Sequence, residues 1–273
     1  ALDAPSDLVQ TRLHQPYDVG PFRITHLRVT HSITDATSLA IETPAGMIVH
    51  TGDFNIDPTP PDGEYFDKEA FAGLGRAGVR LLLSDSTNVD NPGHSGSEAT
   101  VIRALENHVR TAKGRVVVAL FSSHIQRVKA LLEVARQLHK KVCLLGRSTQ
   151  THVNIAKELG LVESFSDVLV DPKDIQDVPR SSALIVATGT QAEAGSALQR
   201  LAIDDHPYLT LSPGDTVVLS SRIIPGNERA VFHMLNELER RQVIVLTRHD
   251  DPELHVSGHG CQQEQTAMIQ LVQ

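Results

Sequence analysis

Apolar and polar positions alternate in short runs over the first ninety residues, which read as β-rich. Residues 22–30 alternate loosely and end at His31. Residues 38–43 and 47–51 are two β-prone runs joined by Pro44-Ala45-Gly46, a turn that predicts a hairpin. The second run ends in Thr51-Gly52-Asp53, and an acidic, proline-rich loop follows over 57–64. The pattern changes at Val79. The apolar run 79–83 reads as a strand buried on both faces. Ser95 and Glu98 match a capping box opening a helix to about 111. Strands are expected over 115–121, 141–145, 167–170, 183–187, 216–219 and 243–246. Helices are expected near 124–139, 149–159, 197–203, 227–241 and 260–272. Short apolar strands alternating with helices predict a parallel, Rossmann-like sheet. The middle of the chain is thus an α/β domain flanked by pieces of something β-rich. A β-lobe with few strands and a final amphipathic helix predict missing partners.

Composition changes this picture little. The 273 residues are 40% hydrophobic and 21% charged, as in globular proteins. No apolar run approaches the ~18 residues that span a bilayer. Residues 1–21 carry neither a basic start nor an apolar core, so no signal peptide is expected. Cys143 and Cys261 form no CxxC pair and suit a reducing cytoplasm. A net charge of −8 argues against a broadly basic surface. It leaves room for phosphates held in a narrow cleft by backbone N–H groups and a few cations.

Polar chemistry gathers where the strands end, which is where open α/β sheets bind ligands. Residues 79–83 lead into Ser84-Asp85-Ser86-Thr87-Asn88, and 115–121 into Ser122-Ser123-His124. Residues 183–187 lead into Thr188-Gly189-Thr190, 216–219 into Ser220-Ser221-Arg222, and the last strand towards His255-Val256-Ser257-Gly258-His259-Gly260. Hydroxyls, glycines and histidines at one edge suit a phosphate-rich ligand. Each serine taken singly also reads as an N-cap, and Ser123 with Gln126 matches a capping box. Of the fourteen histidines, His14, His108, His139, His152, His206 and His233 read as surface or boundary positions. His50 stays open. His31, His255 and His259 are flanked by Ser, Thr or Gly at strand ends. His31 and Asp53 offer the imidazole and carboxylate that a zinc-type ion takes.

In order and approximate spacing, five blocks resemble the signatures of ribonuclease J, a metallo-β-lactamase-fold RNA nuclease of the β-CASP group. They are Thr30-His31-Ser32-Ile33-Thr34-Asp35, Thr51-Gly52-Asp53-Phe54, Leu83-Ser84-Asp85-Ser86-Thr87-Asn88, Thr188-Gly189-Thr190-Gln191 with Ile224-Pro225-Gly226-Asn227-Glu228, and His255-Val256-Ser257-Gly258-His259. The resemblance implies a partial αββα metallo-β-lactamase lobe over 1–92, an inserted Rossmann-like β-CASP domain over 93–250, and a return segment over 251–273. It implies two zinc ions in a complete site, with His31 a ligand and Asp53 the bridging carboxylate. Asp85 and His259 are then catalytic. Ser122, Ser123, His124 and residues His255, Val256, Ser257, Gly258 and His259 bind the RNA's terminal nucleotide and 5′ phosphate. The implied partner is RNA with a 5′ monophosphate, in a cytoplasmic homodimer or tetramer away from any membrane.

The family's His-x-His-x-Asp-His metal motif occurs nowhere in the chain. The resemblance places it upstream of Ala1, and a further metal-binding histidine and a dimerisation domain beyond Gln273. The expectation is an incomplete, inactive piece of a metal-dependent ribonuclease with absent or partial metal. Two other classes remain open. One is a β-CASP module that holds RNA ends without cutting. The other is a small-molecule hydrolase or nucleotide-binding protein, although no GxGxxG follows a strand.

Overall fold

The computed structural model describes residues 9–273; the absence of a leader, read over 1–21, falls partly outside the described residues. In chain order the elements are β1 (Tyr17–Val19), β2 (Phe22–Arg28), β3 (Thr37–Thr43), β4 (Gly46–His50), α1 (Lys68–Ala77), β5 (Val79–Leu83), α2 (Glu98–Thr111) and β6 (Val116–Ala119). There follow α3 (Ile125–Gln137), β7 (Lys141–Leu145), α4 (Arg147–Glu158), β8 (Ala183–Ala187), α5 (Ala197–Ala202), β9 (Thr216–Leu219), α6 (Glu228–Arg240), β10 (Ile244–Leu246) and α7 (Gln262–Leu271). The chain is α/β and forms two units. One runs to His31, resumes over Asp35–Ser95 and returns over Ser257–Gln273. The other holds Ser32–Thr34 and Gly96–Val256.

The first unit carries a sheet in the order β1-β2-β3-β4-β5. The expected hairpin is β3–β4, closed at Pro44-Ala45 with the Thr43 hydroxyl on Gly46 O at 2.8 Å. Alternation sends Leu27, Ala40 and Val49 to one face, where they join Phe54, Phe66, Phe71, Met268 and Val272 in a core under α1 and α7. The other face is also apolar. Cross-strand register aligns Ile24, Ile41, Ile48 and Leu81 in one row, and His26, Leu39, His50 and Leu83 in the next. None of these joins a core cluster among the described residues.

The second unit is the expected parallel sheet, ordered β10-β9-β6-β8-β7. Its three central strands are buried throughout. Val116 and Val118 face a cluster with α2, α3 and α4, while Val117 and Ala119 face one with α5 and α6.

Several expectations need correction. The 79–83 strand is not buried on both faces and does not end at the parallel sheet's edge. It is the edge strand of the first sheet, broken by the exposed Arg80, with Leu81 and Leu83 both 46% exposed. Residues 167–170 form no strand, because only Leu169 bridges to Val142. Ser95 does not cap α2; Ser97 does, accepting from Ala99 N, while Ser95 hydrogen-bonds Glu264 and Glu98 turns inward. Ser123 does not cap α3; its N-cap is His124, whose side chain makes no capping hydrogen bond to the helix. Helix α1 was not expected. Asp67 caps it, and Gly75 lets α7's end approach so closely that a Cβ would lie 2.4 Å from Leu271 O.

Candidate functional site

In the first unit, residues from four separate stretches converge. The antiparallel bridge Thr30↔Asn55 continues β2 past its last ladder pair and sets His31 beside the 52–57 loop. Thr30 clamps that loop: its hydroxyl donates to Asn55 O at 2.8 Å and accepts from Asp57 N at 3.1 Å. The buried Thr51 ends β4, taking Asp85 N on its hydroxyl at 2.9 Å. Gly52 then turns the chain at φ +61°, where a Cβ would press on Thr37 O at 3.0 Å, and so delivers Asp53. From the other end of the sequence, Gly260 N bonds Phe54 O at 2.7 Å, and Asn55 Nδ2 bonds Ser257 O at 3.0 Å. These bonds seat the 257–260 segment against the loop.

Both imidazoles are oriented through Nδ1. His31 Nδ1 donates to Gly258 O at 2.7 Å, since a carbonyl can only accept. His259 Nδ1 lies 2.8 Å from Asp85 Oδ2. Burial pushes the Asp85 carboxyl up, but hydrogen bonds from the Thr87 amide and hydroxyl and from His259 outweigh it and hold the carboxyl below its ordinary value. Asp85 is therefore a carboxylate and His259 Nδ1 is the donor. With the proton on Nδ1, Nε2 is the ring nitrogen that can carry a lone pair. His31 Nε2 is 3.8 Å from Asp53 Oδ2, and the two rings meet edge to face at 5.1 Å. One ligand atom each from His31, Asp53 and His259 lie within 4.8 Å of one another.

Two nitrogens and a carboxylate oxygen of this kind suit a divalent transition metal. A histidine ligand whose second nitrogen donates to a carbonyl or carboxylate is the usual outer-shell arrangement, and both rings show it. The donor set is wider than the expected pair. His31 and Asp53 meet as read, and His259, read as catalytic, offers a third nitrogen to the same point.

The expected nucleotide-binding residues divide between the units. Ser257, Gly258 and His259 belong to the first, while Ser122, Ser123, His124, His255 and Val256 belong to the second. Within the second unit, His124 and His255 both lie at a buried ion pair of Glu98 with Arg127. Burial, with Arg127 nearby, lowers the His255 imidazole to about 3, so it is neutral at physiological pH. The blocks around Thr190 and Pro225 are tied to each other, with Gln191 donating to Arg222 O and accepting from Ile224 N.

Sequence reasoning missed several residues that hold these segments. Glu264 is 1% exposed and accepts from Ile56 N, Cys261 N, and both Ser95 N and its hydroxyl. Asn88 donates to His259 O and Cys261 Sγ. Two histidines read as surface positions have acidic partners, His108 with Asp251 at 2.8 Å and His14 with Asp67 at 3.1 Å. Such pairs lie far apart in sequence and leave no local signal.

The model of the ribonuclease J β-CASP domain matches residues 113–238, within the second unit. Over 257 residues, 94% of this chain, the sequence is 40% identical to ribonuclease J of Helicobacter pylori. Residues 113–238 thus match a ribonuclease J β-CASP domain, and the similarity to ribonuclease J runs on to either side of it. Ribonuclease J of Corynebacterium glutamicum is 41% identical over 253 residues, and that of Thermus thermophilus 40% over 250. The chain spans 37%, 35% and 43% of these three relatives, respectively. A protein of unknown function from Enterococcus faecalis V583 shares the fold, with a TM-score of 0.66 at 13% identity over 98% of this chain and 60% of that one. The α/β architecture fits a β-CASP domain of the metallo-β-lactamase superfamily. The ribonuclease J match contains Ser122, Ser123 and His124, while His31, Asp53, Asp85, His255 and His259 lie outside it.

Proposed function

We propose that the chain is part of a metal-dependent ribonuclease that acts on RNA by 5′-to-3′ exonuclease and endonuclease cleavage, in cytoplasmic RNA decay and maturation. The observation that carries this reading is the convergence of His31, Asp53 and His259, with both rings turned by Gly258 O and Asp85 so that Nε2 presents its lone pair. Zinc is the proposed ion, held by His31 and Asp53 with the His259 nitrogen facing it. When bound, it polarises a phosphoryl oxygen and acidifies a bound water.

The chain's own residues supply the rest. Asp85 keeps the proton on His259 Nδ1, so the single Nε2 lone pair serves either as the third metal donor or, when it is not on the ion, as an acceptor of a proton from water. In the second unit, Ser122, Ser123, His124, His255 and Val256 offer hydroxyl, imidazole and backbone donors to an RNA terminus; Ser257 and Gly258 of the first unit offer a hydroxyl and backbone donors of the same kind. A neutral His255 adds no charge there and selects by hydrogen bonding. RNA with a 5′ monophosphate is the proposed substrate, and a homodimer or tetramer the proposed full-length assembly; the names of the ribonuclease J relatives support RNA.

The test is cleavage of a 5′-monophosphorylated RNA by the full-length protein. Asp85→Ala and His259→Ala should each abolish it while circular dichroism stays that of the parent. Near-parent cleavage in both variants overturns the assignment. A parent that binds such RNA and never cuts it identifies an RNA-end-binding module instead.

A further inference from the structure

Arg127 is 1% exposed and is the largest fully buried side chain of the chain's described residues. Its Nε and Nη2 grip both oxygens of Glu98 at 2.5 and 2.6 Å. Its Nη1 reaches Ser220 O at 2.7 Å and Ser220 Oγ at 3.1 Å. Ser220 Oγ in turn donates to Leu254 O at 2.7 Å, one residue before His255. The far oxygen of Glu98 is also 3.4 Å from His124 Nε2. One planar cation thus links the first turn of α2, the first turn of α3, the end of β9 and the segment leading to His255. These are separate in sequence, and two of them carry residues assigned above to the RNA terminus.

Stability does not explain such a pair. Taking two ions out of water is costly, and well-packed apolar side chains in their place are often neutral or stabilising. The arrangement is instead specific in geometry. The guanidinium fork satisfies Glu98 bidentately and still has a donor for Ser220, which the single ammonium of lysine cannot reproduce. The charged and titratable groups acting on His255 are Arg127, Glu98, His124 and Arg248. His255 Nδ1 itself is buried without a hydrogen-bond partner among the described residues. Its ring is therefore placed by the chain that carries it, and that chain is pinned through Ser220.

We propose that Arg127, with Glu98, is the positioning residue that sets His124 and His255 for the RNA terminus. Arg127 touches no substrate. It acts through Glu98 on one histidine and through Ser220 and Leu254 on the other. The inference rests on the RNA-binding role proposed above, and its test separates the two.

The test compares the parent chain with Arg127→Lys and with the double variant Glu98→Leu/Arg127→Met, which removes both charges together. Binding of a short 5′-monophosphorylated RNA is read by fluorescence anisotropy, and fold by thermal melting. The double variant should melt at or above the parent's temperature yet bind about tenfold or more weakly, and Arg127→Lys should not rescue binding. A folded double variant that binds like the parent overturns the proposal. If the parent itself does not bind this RNA, the RNA reading fails, and histidine-labelled NMR decides the positioning role on its own. Changed ring contacts of His255 and His124 in nuclear Overhauser spectra of the folded double variant uphold positioning; unchanged contacts overturn it.

Discussion

The two five-stranded sheets of this chain are built to opposite plans. The parallel sheet of the second unit is covered on both faces, and β6, β8 and β9 are sealed. In the first unit, among the described residues, one face of the sheet joins a core cluster. Its other face carries Ile24, Leu39, Ile41, Ile48, Leu81 and Leu83 outside any described core. A sheet meant to face water alternates apolar with polar, and this one does not. The polar chemistry differs in the same sense. In the second unit it is a sealed ion pair, so geometry is fixed at the expense of desolvation. In the first it is a half-open cluster of imidazole rings and a 62% exposed carboxylate, where a ligand atom can enter. The second unit thus has its sheet sealed on both faces, while the first presents an apolar face and a site.

The largest break in this comparison comes from Arg127→Met alone. It strands the Glu98 charge in the second unit and should cost about 3–5 kcal/mol in urea denaturation, which Glu98→Leu added to it restores. Acid separates the units next. The unfolded imidazole titrates near 6.5 and the folded His255 at about 3. Between those values the unfolded chain holds more protons, so the second unit loses stability as pH falls from about 6.5, by at most about 1.4 kcal/mol per pH unit. His255→Gln should flatten that slope. Asp85 in the first unit has a lowered pKa, so its contribution persists until pH falls below the ordinary carboxylate value of 3.8. The smallest effect belongs to the open face. Leu81→Lys or Leu83→Lys should change stability by no more than about 0.5 kcal/mol and reduce self-association in analytical ultracentrifugation. A large loss of stability there would mean that the face is already covered.

Legibility in the sequence follows the same division. Apart from 167–170, the second unit's strands and helices read correctly because burial on two faces writes short apolar runs between amphipathic helices. The β3–β4 hairpin read correctly because Pro44-Ala45-Gly46 is local turn chemistry. The exposure of β5 was not legible, since a strand that waits for a partner has the same composition as one that has it. Helix α1 was hidden by Gly73 and Gly75, poor helix formers that α7's approach requires at Gly75. In the site, His31, Asp53, Asp85 and His259 stood out by their flanking residues. Glu98, Arg127 and Glu264 did not, because a charged residue on a helix reads as solvent-facing until its distant partner is known.

The most direct measurement is zinc titration of the metal-free chain by calorimetry, on the parent and on His31→Ala, Asp53→Ala and Asp85→Ala. The account predicts one ion per chain for the parent, loss of that binding in His31→Ala and Asp53→Ala, and about 10–100-fold weaker binding in Asp85→Ala, which only orients His259. Binding that is absent from the parent, or equally tight in all four proteins, would contradict it.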